Sequence, residues 1–363
     1  PASVFVIDEA EIDLNMTATN NGSQFDIKNG VVKLPGLAAA VTGMVSVPNG
    51  TTLLDLTADT TYDLDVLSRR LFASDSGIAL SGQGRDVFKL KGDPSQLTGV
   101  LQQGASTNNQ DPLQGSGGLK WVSANILGLS VGGGSAQATL ENSLLRTTPI
   151  ECSFNGGQLN AMGQYDIATS RLQLGSGSRV ENVQVTPELC RQWLGFVAPM
   201  MADAADVNGQ LSMRVERFFW DLNAPQNSDV SGQLTIHQAS AIPGSSFASL
   251  LQVVDLLRKR DATDGYAARS LTLPEQTVPV QVRQGYVIHE GLIMDLAGYR
   301  LKSSGAVGLN QQIQVTLDVP LEKGTAATTR SIKVPLRGSV KSPQPDTAAL
   351  LQNLGAQKLQ EKL

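Results

Sequence analysis

Residues 278–319 read VPVQVRQGYVIHEGLIMDLAGYRLKSSGAVGLNQQIQVTLDV, and apolar side chains recur there at every second position. Successive side chains of a β-strand point to opposite faces, so this period of two predicts strands with one apolar and one polar face. Gly285 and Gly291 interrupt the run, and we expect the chain to turn at each. The stretch therefore predicts an antiparallel meander. Its apolar face carries Val280, Val282, Leu292, Met294, Leu296, Val307, Leu309, Ile313, Val315 and Leu317.

The same arrangement of strands and glycines occurs in two earlier stretches of the chain. Residues 25–56 contain Gly30 and Gly43 between alternating apolar positions, and residues 150–174 contain Gly156 and Gly163. Self-similarity of this kind indicates a repeated structural unit. The sequence therefore predicts a mainly β fold built from repeated meander units.

A few amphipathic helices interrupt the strands. Thr186 can cap a helix and Pro187 suits its first position, which predicts a helix near 187–201. Further helices are expected near 244–260 and 347–360, and a shorter one over 64–72. The apolar sides of the two longer internal helices include Trp193, Phe196, Met200, Phe247, Leu251 and Val254.

Composition suggests where the chain divides. Residues 101–118 are rich in Gln, Gly, Ser, Asn and Asp, which predicts a long loop or linker. We therefore expect an N-terminal β-repeat region over 1–110 with a short helix, and a second β region over 111–363 with the other helices. The stretch 261–276 is a second, weaker boundary.

Charge and hydropathy exclude some functions. The net charge is −5 and the 28 Lys and Arg residues are scattered, whereas nucleic-acid binding usually needs a basic stripe. Arg69-Arg70 and Arg258-Lys259-Arg260 each end a predicted helix, where cations are favourable. No run of 18 apolar residues is present, so no segment of the sequence is expected to span a bilayer.

Residues able to do chemistry are few. The two histidines, His237 and His289, lie at strand positions far apart in sequence, and no Cys-x-x-Cys or Gly-x-Ser-x-Gly motif accompanies them. We therefore predict no enzyme, no metal and no cofactor. Cys152 and Cys190 could form a disulfide or remain two buried thiols.

A sheet with one apolar face must cover that face. A second sheet could do so, which would make an ordinary closed β-sandwich. Covering helices or an external apolar ligand are the other solutions. The predicted helices are too few to cover all the predicted strands, because a helix of about 14 residues spans only four or five strands.

Several glycine-led strands resemble a known family. VNGQLSM (207–213), VSGQLTI (230–236) and SSGAVGL (303–309) share this pattern, and the chain continues with VPLRGSVKSPQPDTAALL at 334–351. This combination resembles the C-terminal region of the AsmA-like family of bacterial envelope proteins, which includes the TamB and YhdP relatives. The resemblance is best over residues 150–363.

The resemblance implies an elongated, curved antiparallel sheet that forms a taco-like hydrophobic β-groove. It also implies a place in the periplasm or cell envelope, anchored to the inner membrane by a segment outside this sequence. The implied function is phospholipid transport and outer-membrane homeostasis. The partner would be phospholipid or another acyl lipid, with the inner or outer membrane reached through other segments; the protein partner is unknown.

The resemblance turns the apolar positions of 278–319 into candidates for a lipid groove. The helices near 187–201 and 244–260 are larger than a bare groove needs, so they are candidates for a cap or gate. Two other functional classes stay open. One is a structural or adhesive β-repeat scaffold that binds a protein partner through its sheet edges. The other is a hydrolase that uses His237 or His289.

Overall fold

The protein is mainly antiparallel β-sheet, as the sequence predicts. The computed structural model describes residues 10–19, 22–73, 76–95, 112–204, 206–242, 270–296, 299–320, 331–346 and 348–349. The chain forms two compact units. Unit 1 comprises Pro1–Phe154 and Leu159–Gly175, and unit 2 comprises Asn155–Gln158 and Ser176–Leu363. The predicted boundary at residue 110 therefore falls inside unit 1.

Unit 1 is a meander in which nearly every strand pairs with an antiparallel neighbour close in sequence. Its strands are β1 (Glu11–Thr19), β2 (Gln24–Leu34), β3 (Leu37–Ser46), β4 (Leu53–Asp63), β5 (Ile78–Ser81), β6 (Gln83–Gly92), β7 (Gln114–Trp121), β8 (Ser123–Ile126), β9 (Leu129–Val131), β10 (Gly134–Glu141), β11 (Leu144–Thr147), β12 (Ile150–Phe154), most of β13 (Gly157–Ala161), β14 (Gly163–Asp166) and β15 (Arg171–Leu174). The main ladder runs β1-β2-β3-β4-β6-β7-β10-β11-β14-β15.

In four neighbouring stretches of unit 1, the chain forms two short strands in succession, separated by only one or two residues. These four interruptions lie side by side in the sheet. The chain breaks at Gly82 between β5 and β6, at Val122 between β7 and β8, at 132–133 between β9 and β10, and at 148–149 between β11 and β12. On one side of these breaks the ladder is β6-β7-β10-β11, and on the other it is β5-β8-β9-β12. Irregularities in a ladder bend the strands that contain them. The aligned breaks therefore form a crease in the sheet.

The short helix predicted over 64–72 is present as α1 (Leu64–Leu71). The Asp63 carboxylate accepts hydrogen bonds from the backbone N–H groups of Asp65 and Val66, which caps the helix start. Basic residues occupy its last turn, where they favour the helix dipole. The cap Asp63 is also the last residue of β4, so the helix begins directly after the strand.

Unit 2 is a second antiparallel meander. Its strands are β16 (Arg179–Gln184), β17 (Asp206–Asp221), β18 (Asp229–Ile242), β19 (Leu271–Leu273), β20 (Gln276–Arg283), β21 (Tyr286–Leu296), β22 (Tyr299–Gly308), β23 (Ile313–Pro320), β24 (Ser331–Ser339) and β25 (Ser342–Pro345). β16 and β17 each pair with the next strand, and so do β20 to β24. β18 pairs with both β19 and β20, and β19 pairs with β18 and β21. The meander predicted for 278–319 is confirmed.

The recurring glycines are a structural feature of both units. Gly43 on β3 and Gly305 on β22 adopt φ values of 134° and 151°, which L side chains rarely adopt. A Cβ at Gly43 would collide with the carbonyl oxygen of Asp55, and one at Gly305 with that of Gln314. Each glycine pairs with a strand whose register shifts beside it, as in a β-bulge. Gly43 and Gly305 thus mark positions where only glycine fits a bulged ladder.

Gly291 does not turn the chain, contrary to the sequence prediction. It lies inside β21 with φ 76°, where the register with β22 shifts between His289 and Leu292. The bulge absorbs one extra residue and lets the strand continue. A glycine between two alternating runs fits both a turn and a bulge, and the sequence pattern does not separate them.

The helix predicted near 187–201 is shorter than expected. It is present as α2 (Pro187–Gln192), capped by Thr186, and two 3-10 turns follow at Leu194–Phe196 and Pro199–Met201. Pro199 has no N–H to continue a helix, which explains the second interruption. Two further 3-10 turns lie at Pro48–Gly50 and Pro225–Asn227.

Other predicted features fall wholly or partly outside the described residues. The helix near 244–260 lies outside them, and of the helix near 347–360 only residues 348–349 are described, as helical. The predicted linker over 101–118 is wrong from residue 114 onward, because β7 begins there. Likewise, β19 and the start of β20 occupy part of the weaker boundary at 261–276.

Candidate functional site

A single row of apolar and glycine residues crosses ten paired strands of unit 1. Each member lies opposite the next across the ladder, so all of them point to the same face. The row is Met16, Ile27, Gly43, Leu56, Leu90, Gly115, Leu140, Leu145, Tyr165 and Leu172. With strands about 4.8 Å apart, the row follows roughly 43 Å of ladder. We call this row, with its same-face neighbours Phe25, Val41, Val45, Leu54, Ala58, Phe88 and Ala138, the open face.

The open face is only half covered. Ile27 is buried, but Leu56, Leu90, Leu140 and Leu145 are all half-buried. Neighbours on the same sheet shield part of each side chain, whereas full burial needs a second layer packed on top. At the β1 end the face is more open still, since Met16 is 47% exposed. The surface is therefore apolar and continuous, and the part of the chain that the structure describes leaves its side chains half exposed.

The opposite side of the same strands is polar and charged. Lys33 of β2 pairs with Glu11 of β1 at 3.2 Å, and Lys91 of β6 with Asp55 of β4 at 3.2 Å. The Arg85 guanidinium donates hydrogen bonds to Asp59, and this contact holds the pKa of that carboxyl below its usual value. Exposed ion pairs of this kind add little stability, but they identify the side that faces water.

Beyond the crease, the apolar side of unit 1 closes into a small core. Ala124, Val131 and Cys152 are buried there, and Phe154 and Trp121 pack against them. Leu80, Ile150 and Leu159 complete the set. The Trp121 indole N–H donates a hydrogen bond of 2.8 Å to the carbonyl of Gly132, within the crease itself. The crease therefore separates this small core, with its three buried residues, from the open face.

The lining residues predicted from 278–319 occupy a different environment, in unit 2. Nine of the ten are at most 8% exposed, and Leu309 is half-buried. Leu292, Met294, Val307 and Leu317 have no exposed surface. The structure brings these residues together on one face, as expected, but that face is part of a core. As described, they offer no open surface to a ligand.

The predicted gate residues that the structure describes differ in how deeply they are buried. Trp193 is 52% exposed at the end of α2, Phe196 is half-buried and Met200 is buried. The turn that contains Phe196 lies against β22, and Gly195 packs against Val340. This segment therefore covers part of the unit 2 sheet. Phe247, Leu251 and Val254 lie outside the described residues.

Both histidines hydrogen-bond to serines. His289 Nε2 lies 2.9 Å from Ser303 Oγ, and both residues are buried. Burial lowers the pKa of His289 to about 4, so the ring is neutral near pH 7. His237 Nε2 lies 2.8 Å from Ser212 Oγ, which also accepts the backbone N–H of Asn182. The side chains of the His289 pair have almost no exposed surface.

The two cysteines are free and buried, which agrees with the thiol alternative. Burial raises the pKa of the Cys190 thiol to about 12 and also raises that of Cys152. Among the described residues no group of His, Cys, Asp and Glu side chains has the spacing to hold a metal ion. No helix in the described part of the chain is long and apolar enough to cross a membrane.

A depression of about 750 Å³ lies on the polar side of unit 2. Gln281, Glu290, Gln314, Asp318 and Lys333 are among its lining residues. Charged and amide side chains of this kind do not suit a hydrocarbon chain. The open face of unit 1 is therefore the better candidate for an apolar ligand.

Comparison with known proteins gives no identification: no family model, no curated protein and no solved structure matches this chain. The candidate site consequently depends on the geometry of unit 1. Sequence reasoning found the alternation over 25–56 and 150–174 but did not propose it as a site, because the strands between those stretches carry polar and small residues such as Thr60 and Gly115. The signal that identifies the open face is the register between strands, because antiparallel pairing places Leu56, Leu90 and Leu140 in one row.

Proposed function

We propose that this protein is a non-enzymatic, lipid-binding β-groove segment of a bacterial cell-envelope protein. The open face of unit 1 holds the acyl chains of phospholipid or a similar lipid, and lipid moves along it. The row of apolar residues across ten strands carries this proposal. Its family would be the AsmA-like envelope proteins, and its place the periplasm, as the glycine-led strands suggest.

The physical basis is the transfer of hydrocarbon out of water. Each buried CH₂ group contributes about 0.8 kcal/mol, and a chain lying on a half-covered surface gains part of that. Gly43 and Gly115 carry no side chain, so the row has no protruding side chain opposite Leu56 and Leu140. Most of the side chains on the face are aliphatic, which matches the chemistry of an acyl chain.

The first test is extraction of lipid from protein purified without detergent. Mass spectrometry should find phospholipid or fatty acid bound to the full chain. Protein stripped of lipid should then bind a phospholipid that carries a fluorescent acyl chain. The absence of both extractable lipid and probe binding would overturn the proposal.

Paired variants locate the binding surface. Leu56→Asp with Leu90→Asp places two charges on directly opposed positions of the open face and should reduce probe binding about tenfold or more. Thr57→Asp with Ser116→Asp is the matched control, because both residues point to the polar side, opposite Lys89. Circular dichroism checks that all variants keep their β-sheet. Equal loss in both pairs would contradict the assignment of the face.

A photoreactive residue gives the same answer without adding charge. Benzoylphenylalanine at position 56 should crosslink to bound lipid, and the same group at position 57 should not. Crosslinking at position 57 alone would invert the face.

A second candidate function is a scaffold that accepts a strand from a protein partner. Among the described residues, β1 pairs only with β2, and every β1 residue is exposed, including Ile12 and Leu14. Such an edge can be extended by an added strand. Recovery of a partner that protects the β1 amides from hydrogen exchange, together with no extractable lipid, would favour this function.

A hydrolase has weaker support. Purified protein can be screened with generic ester and glycoside substrates. Turnover that disappears on His237→Ala would revive that function and contradict the non-enzymatic proposal.

A further inference from the structure

Three exposed apolar residues, from α1 and the β8–β9 hairpin, lie toward the Ile78 end of β5, and two arginines belong to the last turn of the same helix. Leu71 is 53% exposed, Ile126 is 39% exposed and Leu127 is 36% exposed. Arg69 and Arg70, also exposed, belong to the last turn of α1. Scattered single apolar residues are normal on a protein surface, whereas a cluster calls for an explanation. We call these five residues the apolar tip.

The course of α1 brings Leu71 to this end of β5. At the helix start, the N–H of Leu64 donates to the carbonyl of Gly82 at 2.8 Å. One turn later, Ser68 Oγ donates to the carbonyl of Leu80 at 3.2 Å. The helix therefore runs antiparallel to β5, and its last residue lies toward Ile78.

The β8–β9 hairpin reaches the same end. Ile126 pairs with Ile78 across the ladder. The N–H of Leu127 donates to the carbonyl of Gly77 at 2.7 Å, and the Leu127 side chain lies over that glycine. The end of α1 and the hairpin turn thus lie toward the same end of β5.

The turn itself is unfavourable for leucine. Leu127 and Gly128 join β8 to β9 with φ values of 53° and 84°. Two consecutive positive φ angles favour Asn, Asp or Gly, and a leucine there is strained. Leu127 is 36% exposed and belongs to none of the buried positions of the core. Strain at an exposed apolar residue is a reason to look for a function.

We propose that the apolar tip docks on an anionic phospholipid bilayer. The three apolar side chains enter the boundary between headgroups and acyl chains, and Arg69 and Arg70 bind lipid phosphates. Guanidinium groups pair with phosphate in a bidentate manner, and basic residues near an anionic surface are attracted to it. The helix dipole accounts for arginines at this position, but not for the strained leucine beside them. The inference goes beyond lipid retention on the open face, since its ligand is a membrane surface.

Vesicle sedimentation of the full chain tests the docking. Vesicles of phosphatidylcholine and phosphatidylglycerol in equal amounts should bind the protein, and added salt should weaken that binding. Vesicles of phosphatidylcholine alone should bind it less. Arg69→Gln with Arg70→Gln should reduce binding to the anionic vesicles by roughly tenfold or more.

The variant Leu127→Asn tests whether Leu127 serves membrane binding or the stability of the fold. Asparagine suits the positive φ, so the variant should unfold at a higher temperature than the native chain. Its binding to the anionic vesicles should nevertheless fall by about tenfold, because the apolar group is gone. Val87→Thr is the control, since Val87 is 45% exposed on the polar side of β6 and should leave binding unchanged.

Three results from the vesicle and unfolding experiments would overturn the docking proposal. They are no binding to anionic vesicles, undiminished binding by Leu127→Asn, and a lower unfolding temperature for that variant. Capture of a protein partner by the native tip in place of vesicles would also contradict it. Lipid extraction from the open face is a separate readout, so either proposal can fail while the other stands.

Discussion

Unit 1 and unit 2 are built alike and covered differently. Both are antiparallel meanders, and each contains a glycine, Gly43 or Gly305, that lies opposite a β-bulge in the neighbouring strand. Yet Leu56 in unit 1 is half-buried, whereas Leu317 in unit 2 has no exposed surface. Strand alternation therefore assigns a residue to one face of the sheet. It does not determine whether another layer of the protein covers that face.

The largest expected effect is truncation of the covered leucine. Leu317→Ala should lower the free energy of unfolding by about 2–5 kcal/mol, because it leaves a cavity in a packed core. Leu56→Ala should cost only about 1 kcal/mol, because its side chain is half in water and its removal opens no enclosed space. Urea unfolding followed by circular dichroism measures both. Equal costs would mean that the two faces are equally covered, which would break the comparison.

Acidification should act on the buried histidine of unit 2. His289 has a pKa of about 4 in the folded protein and about 6.5 when unfolded, so the unfolded chain binds the proton first. The stability that depends on neutral His289 is therefore complete above pH 6.5 and is lost as the pH falls toward 4. The loss is on the order of 3 kcal/mol over that window.

His289→Gln removes the titrating group and tests this assignment. Urea unfolding at a series of pH values should show a flatter pH dependence between 6.5 and 4 in the variant. An unchanged slope would mean that other groups govern the acid sensitivity. His237→Gln, at the half-buried position, is the matched control.

The bulge glycines should matter equally in both units. Gly43→Ala and Gly305→Ala each force a side chain into a positive φ and against a neighbouring carbonyl, at an expected cost of about 1–3 kcal/mol. Gly163→Ala is the control, since a Cβ there meets ordinary contacts of 3.4 Å and more. Thermal unfolding measures all three. A large effect in one unit alone would mean that the shared motif is not equivalent in the two.

Thiol labelling should show the smallest difference. Cys190 is fully buried in unit 2 with a pKa of about 12, and Cys152 is slightly exposed in unit 1. Thiolate is the reactive form, so both should label slowly in the native protein, and Cys152 should label first. Mass spectrometry of labelled peptides gives the two rates. Faster labelling of Cys190 would contradict the tighter packing of unit 2.

The sequence predicted the β class correctly, and it placed the candidate lining on a face that is buried in unit 2. The most regular alternation, in residues 278–319, identified a real apolar face, but that face is sealed. A strongly apolar face gains most from being covered, so regular alternation is better evidence of a core than of an open surface. The open face of unit 1 is diluted by glycine, alanine and threonine, and for that reason the sequence pattern did not single it out.

Local geometry explains why the helix and turn predictions were of mixed accuracy. Asp63 and Thr186 cap α1 and α2 with their own side chains, so those starts could be found from the sequence. Gly291 looked like a turn because a turn and a bulge demand the same freedom in φ. Only the pairing with β22 shows that the strand continues past it.

The sequence by itself determined the β class, the two faces of each strand and the glycines on which the bulges depend. These follow from side-chain chemistry and from φ and ψ, which act within a few residues. The tertiary structure alone decided which apolar face is sealed, which is half open, and that the end of α1 and the β8–β9 turn reach the same end of β5. Those outcomes depend on contacts between residues distant in sequence, and a period of two carries no information about what lies above the sheet.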